Sequence, residues 1–491
     1  MRYFKHVSLV LFLSFLVGCT PAPTLPQNDD ESATSALYER TFEAQTPNVA
    51  LLNLFLTQMP KGGDLHHHYS GSIYAETYLD WVKAKGWFID TCTFKILKAK
   101  GNETCKIVTV DELTANDTLY RKLLTLWSDK DFDNHSHDQL PPDSNFFNTF
   151  GYFSPISDQY MDIGLNIIKY RAINENVSYV ETMLSRVGVN SSEFFNPDDV
   201  KMLNNALRTV DSQEEFNALL ERIRVFYEKN QNFNDKVQQF VSEIELRHQG
   251  IDDETFTMRY QTYATRVVEP LQVFTDLLAG YKAALSSPLI VGVNIVAPEN
   301  NPIALKDYTL HMRMFAYLAA KYPNVHRSLH AGELTLGMVE PKHLLAHIKQ
   351  ARSIAKAERI GHGVDLAYEL DAVALLQDLK NNAAIEINLT SNEFILGVAG
   401  KEHPYSLYAA YGVPLVISTD DSGVSRDNLS HEYVLLASRY HPSYATIKTY
   451  VYNSIDYSFL TPVEKAEMRA RLDKKFKVFE REMNILAKNL N

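Results

Sequence analysis

Four short clusters in this 491-residue chain combine residue types that bind metals and move protons. The first is MPKGGDLHHHYSG at residues 59–71, where three histidines follow a proline and two glycines. In an extended strand side chains two apart share a face, so His66 and His68 can point together while His67 turns away towards surrounding helices. Two imidazoles spaced this way can grip one zinc ion at roughly 2.0–2.1 Å per Zn–N bond. On a surface the same tract is three solvated rings. The second cluster, His330-Ala331-Gly332-Glu333, closes a run of alternating apolar and polar residues. The third is His362 between Gly361 and Gly363, glycines that let backbone or ligand approach closely. The fourth is Asp420-Asp421, directly after the apolar VPLVIS. Adjacent carboxylates ending a buried run are costly unless a metal ion or proton donors meet them. Each cluster also has a plain structural reading: His330 as a core histidine, His362 as a helix-capping group, the aspartates as a turn or N-cap.

Shared chemistry would require a frame that brings these distant segments together. Beyond residue 48 short apolar runs alternate with longer amphipathic stretches, the pattern of βα units around a parallel sheet. Candidate strands cover residues 63–70, 177–184, 256–265, 288–297, 325–332, 358–364, 384–392 and 413–421. Eight strands with helices between most of them are what an α/β fold of the (β/α)8 TIM-barrel type requires, and the chain is long enough for one such barrel with insertions. The four clusters end the first, fifth, sixth and eighth candidates. Catalytic residues drawn from several strand ends are the expected arrangement of a barrel, so coincidence is the poorer explanation. Two stretches exceed a minimal barrel, residues 85–140 and the helical 187–250; they are expected as insertions after the first and second strands.

Composition narrows the function classes. A hydrophobic share of 45% and a charged share of 22% are ordinary for a globular protein. The formal net charge is −12 with no long basic run, which argues against nucleic acid as a partner. Arg2 and Lys5 precede an apolar run at residues 7–17 that ends LVGC, with Cys19 last. This resembles the bacterial lipobox, in which the cysteine becomes lipidated; an ordinary signal peptide or an uncleaved anchor are the alternatives. The expected plan is a lipoprotein signal peptide over 1–18, a flexible tether over 19–47 rich in Pro, Ser, Thr and acids, and the barrel over 48–491. Such a protein sits in the bacterial cell envelope, held by its lipid on the outer membrane, to which Thr20 after the cysteine points, or on a periplasm-facing membrane. Cys92 and Cys105 can close a short disulfide loop in an oxidising compartment, or remain two buried thiols.

Taken in order, MPKGGDLHHH, SLHAGE, RIGHGV and STDDS resemble the adenosine deaminase family of metal-dependent hydrolases, over residues 59–440. The MPKG start and the long insertion after the first strand are closer to its secreted, growth-factor-like subgroup. The resemblance implies one zinc ion per chain, held by His66, His68, His330 and Asp420. It implies Glu333 as the acid that protonates the purine ring, and His362 as the group that orients the attacking water and acts as base or electrostatic partner. It also implies substrate contacts from Asp421 to the five-membered ring and from the backbone of Gly332 to the base. The implied reaction is hydrolytic deamination of adenosine or 2′-deoxyadenosine to the inosine and ammonia, with no organic cofactor.

Departures bear on the substrate. Ser70 stands where the family carries an Asp that contacts the sugar, Ala297 where glycine is usual, and Ser422 where proline is usual, whereas Glu299 is retained. Deamination of a modified adenine nucleoside is therefore an alternative, as is a non-catalytic nucleoside-binding lipoprotein on the same barrel. Another zinc amidohydrolase acting on an amide or ester is a third, disfavoured because Glu333 suits ring protonation. The cysteine-ligated cytidine deaminase type is excluded, since no P-C-x-x-C motif occurs.

Overall fold

Strands in this chain are short apolar runs that bury both faces, as all-parallel sheets require. The structure, a computed structural model, describes residues 29–44, 46–101, 105–130, 132 and 140–490. The expected signal peptide, Cys19 and the first part of the tether lie outside the described residues. Eight strands pair in parallel in chain order: β1 Gly63–His68, β2 Tyr179–Ser185, β3 Thr257–Thr265, β4 Ile290–Val296, β5 His326–Ala331, β6 Arg359–His362, β7 Ala384–Ile387 and β8 Leu415–Ile417. The expected barrel is the observed fold. Its seam closes just past β8, where the Asp420 N–H donates to the His66 carbonyl (2.8 Å) and the His68 N–H donates to the Asp420 carbonyl (3.1 Å). The closing hydrogen bonds thus run through residues of the first and fourth clusters.

Helices cover the outside. Pro270–Ser286 and Pro302–Lys321 each start on a proline, whose missing N–H is one of the helix's unpaired donors anyway. Inside the barrel the apolar rule is broken on purpose. Glu181, Arg359 and Glu386 are fully buried, with the Arg359 guanidinium 2.5 Å from a carboxylate oxygen of each acid. Charges removed from water this way persist only when paired.

Three expectations need correction. Residues 29–40, expected as tether, form the helix Asp29–Arg40, which packs against the C-terminal helix Pro462–Asn489. Leu37 and Tyr38 are buried, the Thr34 hydroxyl donates to the Glu480 carbonyl (3.1 Å), and Tyr38 Oη donates to the Pro442 carbonyl (2.9 Å). These two apolar side chains, one turn from the threonine, dock an otherwise polar helix together with Lys448 on Glu31 (3.0 Å) and Asn484 on Asp30 (2.6 Å). The first insertion does hold a small antiparallel sheet (Phe88–Asp90, Ile96–Leu97, Ile107–Thr109) beside a Cys92–Cys105 disulfide. It runs past residue 140, however, into the helix Pro142–Ser157, which faces the barrel mouth. Residues 389–392, expected to finish the seventh strand, instead begin the helix Leu389–Leu396. The second insertion is helical as expected: Pro197–Thr209, Gln213–Lys229 and Gln231–Arg247. Among the described residues no helix is long and apolar enough to cross a membrane.

Candidate metal centre and its cavity

All four clusters meet at the C-terminal mouth of the barrel. Strand alternation sends His66 and His68 inward, while His67 Nδ1 pairs with Thr182 Oγ1 at 2.9 Å on the other face. His68 Nε2 lies 3.2 Å from His330 Nε2 and 3.2 Å from Asp420 Oδ1, and His66 Nε2 lies 3.4 Å from the same carboxylate oxygen. His362 Nε2 stands 3.8 Å from Asp420 Oδ2 and 3.7 Å from Glu333 Oε1. Both His362 (φ 69°) and Asp420 (φ 61°) hold left-handed backbone, a strained conformation for residues with side chains that clusters at functional sites.

This donor set fits a divalent metal ion. His66 Nε2 is buried and has no hydrogen-bond partner among the described residues, although imidazole nitrogens and carboxylates surround it. Its ring is aimed from behind by Glu386, whose Oε2 lies 2.6 Å from His66 Nδ1. A carboxylate can only accept, so His66 carries its hydrogen on Nδ1 and turns the Nε2 lone pair to the centre. His330 is held in the same sense. Its Nδ1 is 3.0 Å from Asn294 Oδ1, and that oxygen already accepts the Ile295 N–H (2.8 Å), which identifies it as carbonyl. Ser391 Oγ donates to Asp420 Oδ2 (2.8 Å) and leaves Oδ1 facing the imidazoles. Behind β1, Asp64 accepts from Thr419 Oγ1 (2.6 Å) and fixes the approach to Asp420.

Beside the centre, Glu333 is buried. Burial, reinforced by the Asp420 charge, pushes its carboxyl up to about 8 against the opposing pull of Arg266, so it is protonated at neutral pH. Asp421 is pushed well above the usual range, first by burial and then by Asp420, and its Oδ1 has no partner among the described residues. A side chain on residue 71 would collide with Asp421, the built Cβ falling 1.6 Å from its Oδ1, so Gly71 of the first cluster is required there.

The loop bearing Glu333 is held by Glu299. Its carboxylate accepts from the backbone N–H of Gly332 (3.2 Å) and of Glu333 (3.0 Å), pairs with His347 Nδ1 (2.5 Å), and lies 3.3 Å from Arg266 Nη1. Burial alone would raise Glu299, but Arg266 and His347 hold it down at about 2. The backbone of Gly332, expected to contact the base, is engaged within the protein. Its N–H is taken by Glu299, its carbonyl accepts from Val364 and Asp365, and it does not line the cavity. What residue 332 does demand is glycine, because φ is +75° and a Cβ would meet Asp365 Oδ1 at 2.4 Å.

The cavity above the centre holds about 450 Å³, within the range of small-molecule sites. His68, His330, Glu333, His362, Asp420 and Asp421 form its floor; Ser70, Asn148, Tyr263 and Thr265 add polar groups, and among the described residues no Lys or Arg lines it. Its other wall is Phe146, Phe147 and Phe150 from Pro142–Ser157. Sequence reasoning missed that wall, for which the aromatic density of FFNTFGYF was the available signal. It also missed the residues behind the floor. A single acid within AIEI, and an asparagine within VGVNIV, were visible signs of buried polar duty at Glu386 and Asn294. Arg266, one residue past β3, carried none.

The adenosine deaminase family model matches residues 232–475, so β1 and its histidines lie before the matched region. An adenosine deaminase of Clostridium kluyveri is 32% identical over 171 residues, 35% of this chain and 44% of that protein. The N6-methyl-AMP deaminase of Bos taurus is 31% identical over 157 residues, 31% of this chain and 42% of that protein. The chain thus spans less than half the length of these curated relatives. An Arabidopsis N6-mAMP deaminase structure matches 86% of this chain and 99% of its own with a TM-score of 0.55 at 17% identity, a likeness of fold.

Proposed function

This chain belongs to the adenosine deaminase family, and from that premise we propose that it is a zinc-dependent hydrolase that removes the exocyclic amine of adenosine or 2′-deoxyadenosine. The observation that carries the reading is the convergence of His66, His68, His330 and Asp420 with Glu333 in one cavity at the strand ends. Those first four residues would hold the zinc ion, which when bound supplies the Lewis acidity that makes water nucleophilic near neutral pH.

The chain's own groups do the rest. Water adds through its oxygen to the amine-bearing ring carbon; as the C–N bond breaks, one water proton leaves with the amine as ammonia, and the other replaces the proton that Glu333 gives to the ring. Glu333, neutral at physiological pH, donates its proton to the ring nitrogen beside that carbon and so draws electron density away from the point of attack. Asp421, also neutral through burial, is placed to hydrogen-bond a nitrogen of the five-membered ring. His362 is placed to hold the attacking oxygen near Glu333 and Asp420. Phe146, Phe147 and Phe150 cover the base and keep bulk water from the reacting carbon.

Among the described residues no cationic side chain lines the cavity, which favours a nucleoside over a nucleotide, because a phosphate would be desolvated there without a partner from that lining. Ser70 at the sugar end and the phenylalanine wall also support a second reading, a modified adenine nucleoside with an apolar substituent. The test follows absorbance of adenosine, 2′-deoxyadenosine, AMP and methylthioadenosine with purified protein. Loss of signal that a chelator stops and zinc restores is expected for the nucleosides and not for AMP. Metal-loaded protein inert on all four would overturn the proposal.

The same reading sets the enzyme in the bacterial cell envelope, anchored through lipid on Cys19, which the lipobox-like LVGC and the Cys92–Cys105 disulfide support. Cys19→Ser should release it from the membrane fraction; unchanged fractionation would sink the anchor.

A further inference from the structure

Four imidazoles, those of His66, His68, His330 and His362, face the centre through Nε2, and the three with a described partner at Nδ1 are not held alike from behind. His66 and His330 meet acceptors at Nδ1, the Glu386 carboxylate and the Asn294 carbonyl oxygen. His362 meets donors. Asn392 Nδ2 lies 2.9 Å from its Nδ1, and Asn388 Nδ2 lies 3.4 Å from the same nitrogen.

The direction of the Asn392 amide follows from a fixed donor two steps away. The backbone N–H of Tyr405 can only donate, and it points at His403 Nδ1 (3.1 Å). His403 is buried, and burial pushes its imidazole down to about 4, so the ring is neutral at pH 7. With Nδ1 accepting, its hydrogen is on Nε2, which lies 3.0 Å from Asn392 and needs an acceptor there. Asn392 therefore turns Oδ1 to His403 and its NH2 to His362. His362 must accept at Nδ1 and carry its hydrogen on Nε2. A second observation points the same way: Nε2 has no partner among the described residues and faces the ionised carboxylate of Asp420 (Oδ2, 3.8 Å), which favours an N–H over a lone pair.

We propose that His403 and Asn392 are positioning residues that lock His362 in its Nε2–H tautomer, so that this histidine donates a hydrogen bond to the reacting oxygen and is neither a metal ligand nor a base. The inference deepens the deaminase reading and rests on it for the identity of the oxygen. It divides His66, His330 and His362 by what stands behind each: the acceptor-backed rings of His66 and His330 offer lone pairs to the metal, and the donor-backed ring of His362 offers a hydrogen. No bond is made or broken by His362 itself.

The test is a long-range 1H–15N correlation spectrum of zinc-loaded protein labelled with 15N-histidine, with the His362 signals assigned by their loss in His362→Gln. Hydrogen on Nε2 is expected, and hydrogen on Nδ1 would overturn the proposal. Asn392→Asp replaces the donor by an acceptor of the same shape. It should move the His362 hydrogen to Nδ1 and lower kcat by about 10²-fold or more with KM within about twofold, as wrong-tautomer histidines do. Its zinc content should stay at that of the parent. An Asn392→Asp protein with the parental tautomer, or with full kcat, also overturns it. Because the spectrum needs no turnover, an inactive parent chain would refute the deaminase reading while leaving the tautomer measurable.

Discussion

Replacing Glu386 by glutamine removes one negative charge from beneath the metal centre without changing shape. Glu386 is fully buried; its Oε2 lies 2.6 Å from His66 Nδ1, and its Oε1 takes Arg359 Nε (2.5 Å) and Ser328 Oγ (2.8 Å). Glutamine has one acceptor oxygen where the carboxylate has two. With that oxygen towards His66, the amide NH2 is forced against the Arg359 and Ser328 donors. With the amide reversed, His66 loses its acceptor, its hydrogen shifts to Nε2, and the lone pair aimed at the metal disappears. The first orientation forfeits a charge-assisted hydrogen bond, about 1.5–3 kcal/mol, and leaves Arg359 with Glu181 as its one carboxylate partner. The second weakens metal binding, for which loss of a partner behind a ligand typically costs about 10–100-fold, or about 1.4–2.8 kcal/mol. The two outcomes exchange with one another, so Glu386→Gln should lose about 2–3 kcal/mol of stability plus metal affinity combined. Chelator-competition titration with zinc and urea unfolding of metal-free protein measure the two parts separately. Zinc affinity within about twofold of the parent, together with metal-free stability within about 0.5 kcal/mol, would refute the reasoning that Glu386 aims His66.

Three shorter expectations follow from other buried groups. Glu333→Gln should keep the parental zinc content and lose about 10²–10⁴-fold in kcat, since the amide cannot surrender a proton; full activity on adenosine would remove Glu333 as the acid. Burial raises Glu369 from 4.5 to about 7 against the Ile348 and Lys349 N–H groups that its Oε1 accepts from. The folded chain then keeps a proton that the unfolded chain releases, so stability falls as pH rises from about 4.5 to 7. Glu369→Gln mimics the protonated form: unfolding below about pH 4 should be nearly unchanged, and at pH 8 the variant should gain about 3 kcal/mol, a result that a pH-independent difference would contradict. Ala297 carries φ +84° at the cavity wall, where glycine is unstrained, so Ala297→Gly should raise stability by about 1 kcal/mol in thermal unfolding, and a lower Tm would show that the backbone there is not strained.

Sequence alone determined the barrel and most of the floor of its site. Strands such as IVGVNIV are written in local residue types, and the position of His66, His68, His330, Glu333, His362 and the aspartate pair at strand ends follows from where each apolar run stops. Alternation along β1 was enough to separate His66 and His68 from His67, because side-chain direction in a strand is a local property. The groups behind the floor were not legible in the same way. Glu386, Asn294, Asn392 and His403 act through hydrogen bonds to residues between 11 and 320 positions away, and a partner at such a distance is set only by strand order and closure of the barrel. Local polarity likewise made residues 29–40 look like tether, whereas the C-terminal helix, more than 400 positions on, supplies the surface that orders them. Which residues can do chemistry is a matter of side-chain type and strand phase. Which nitrogen of each histidine carries the hydrogen depends on what the fold places behind the ring, and only the tertiary structure decides that.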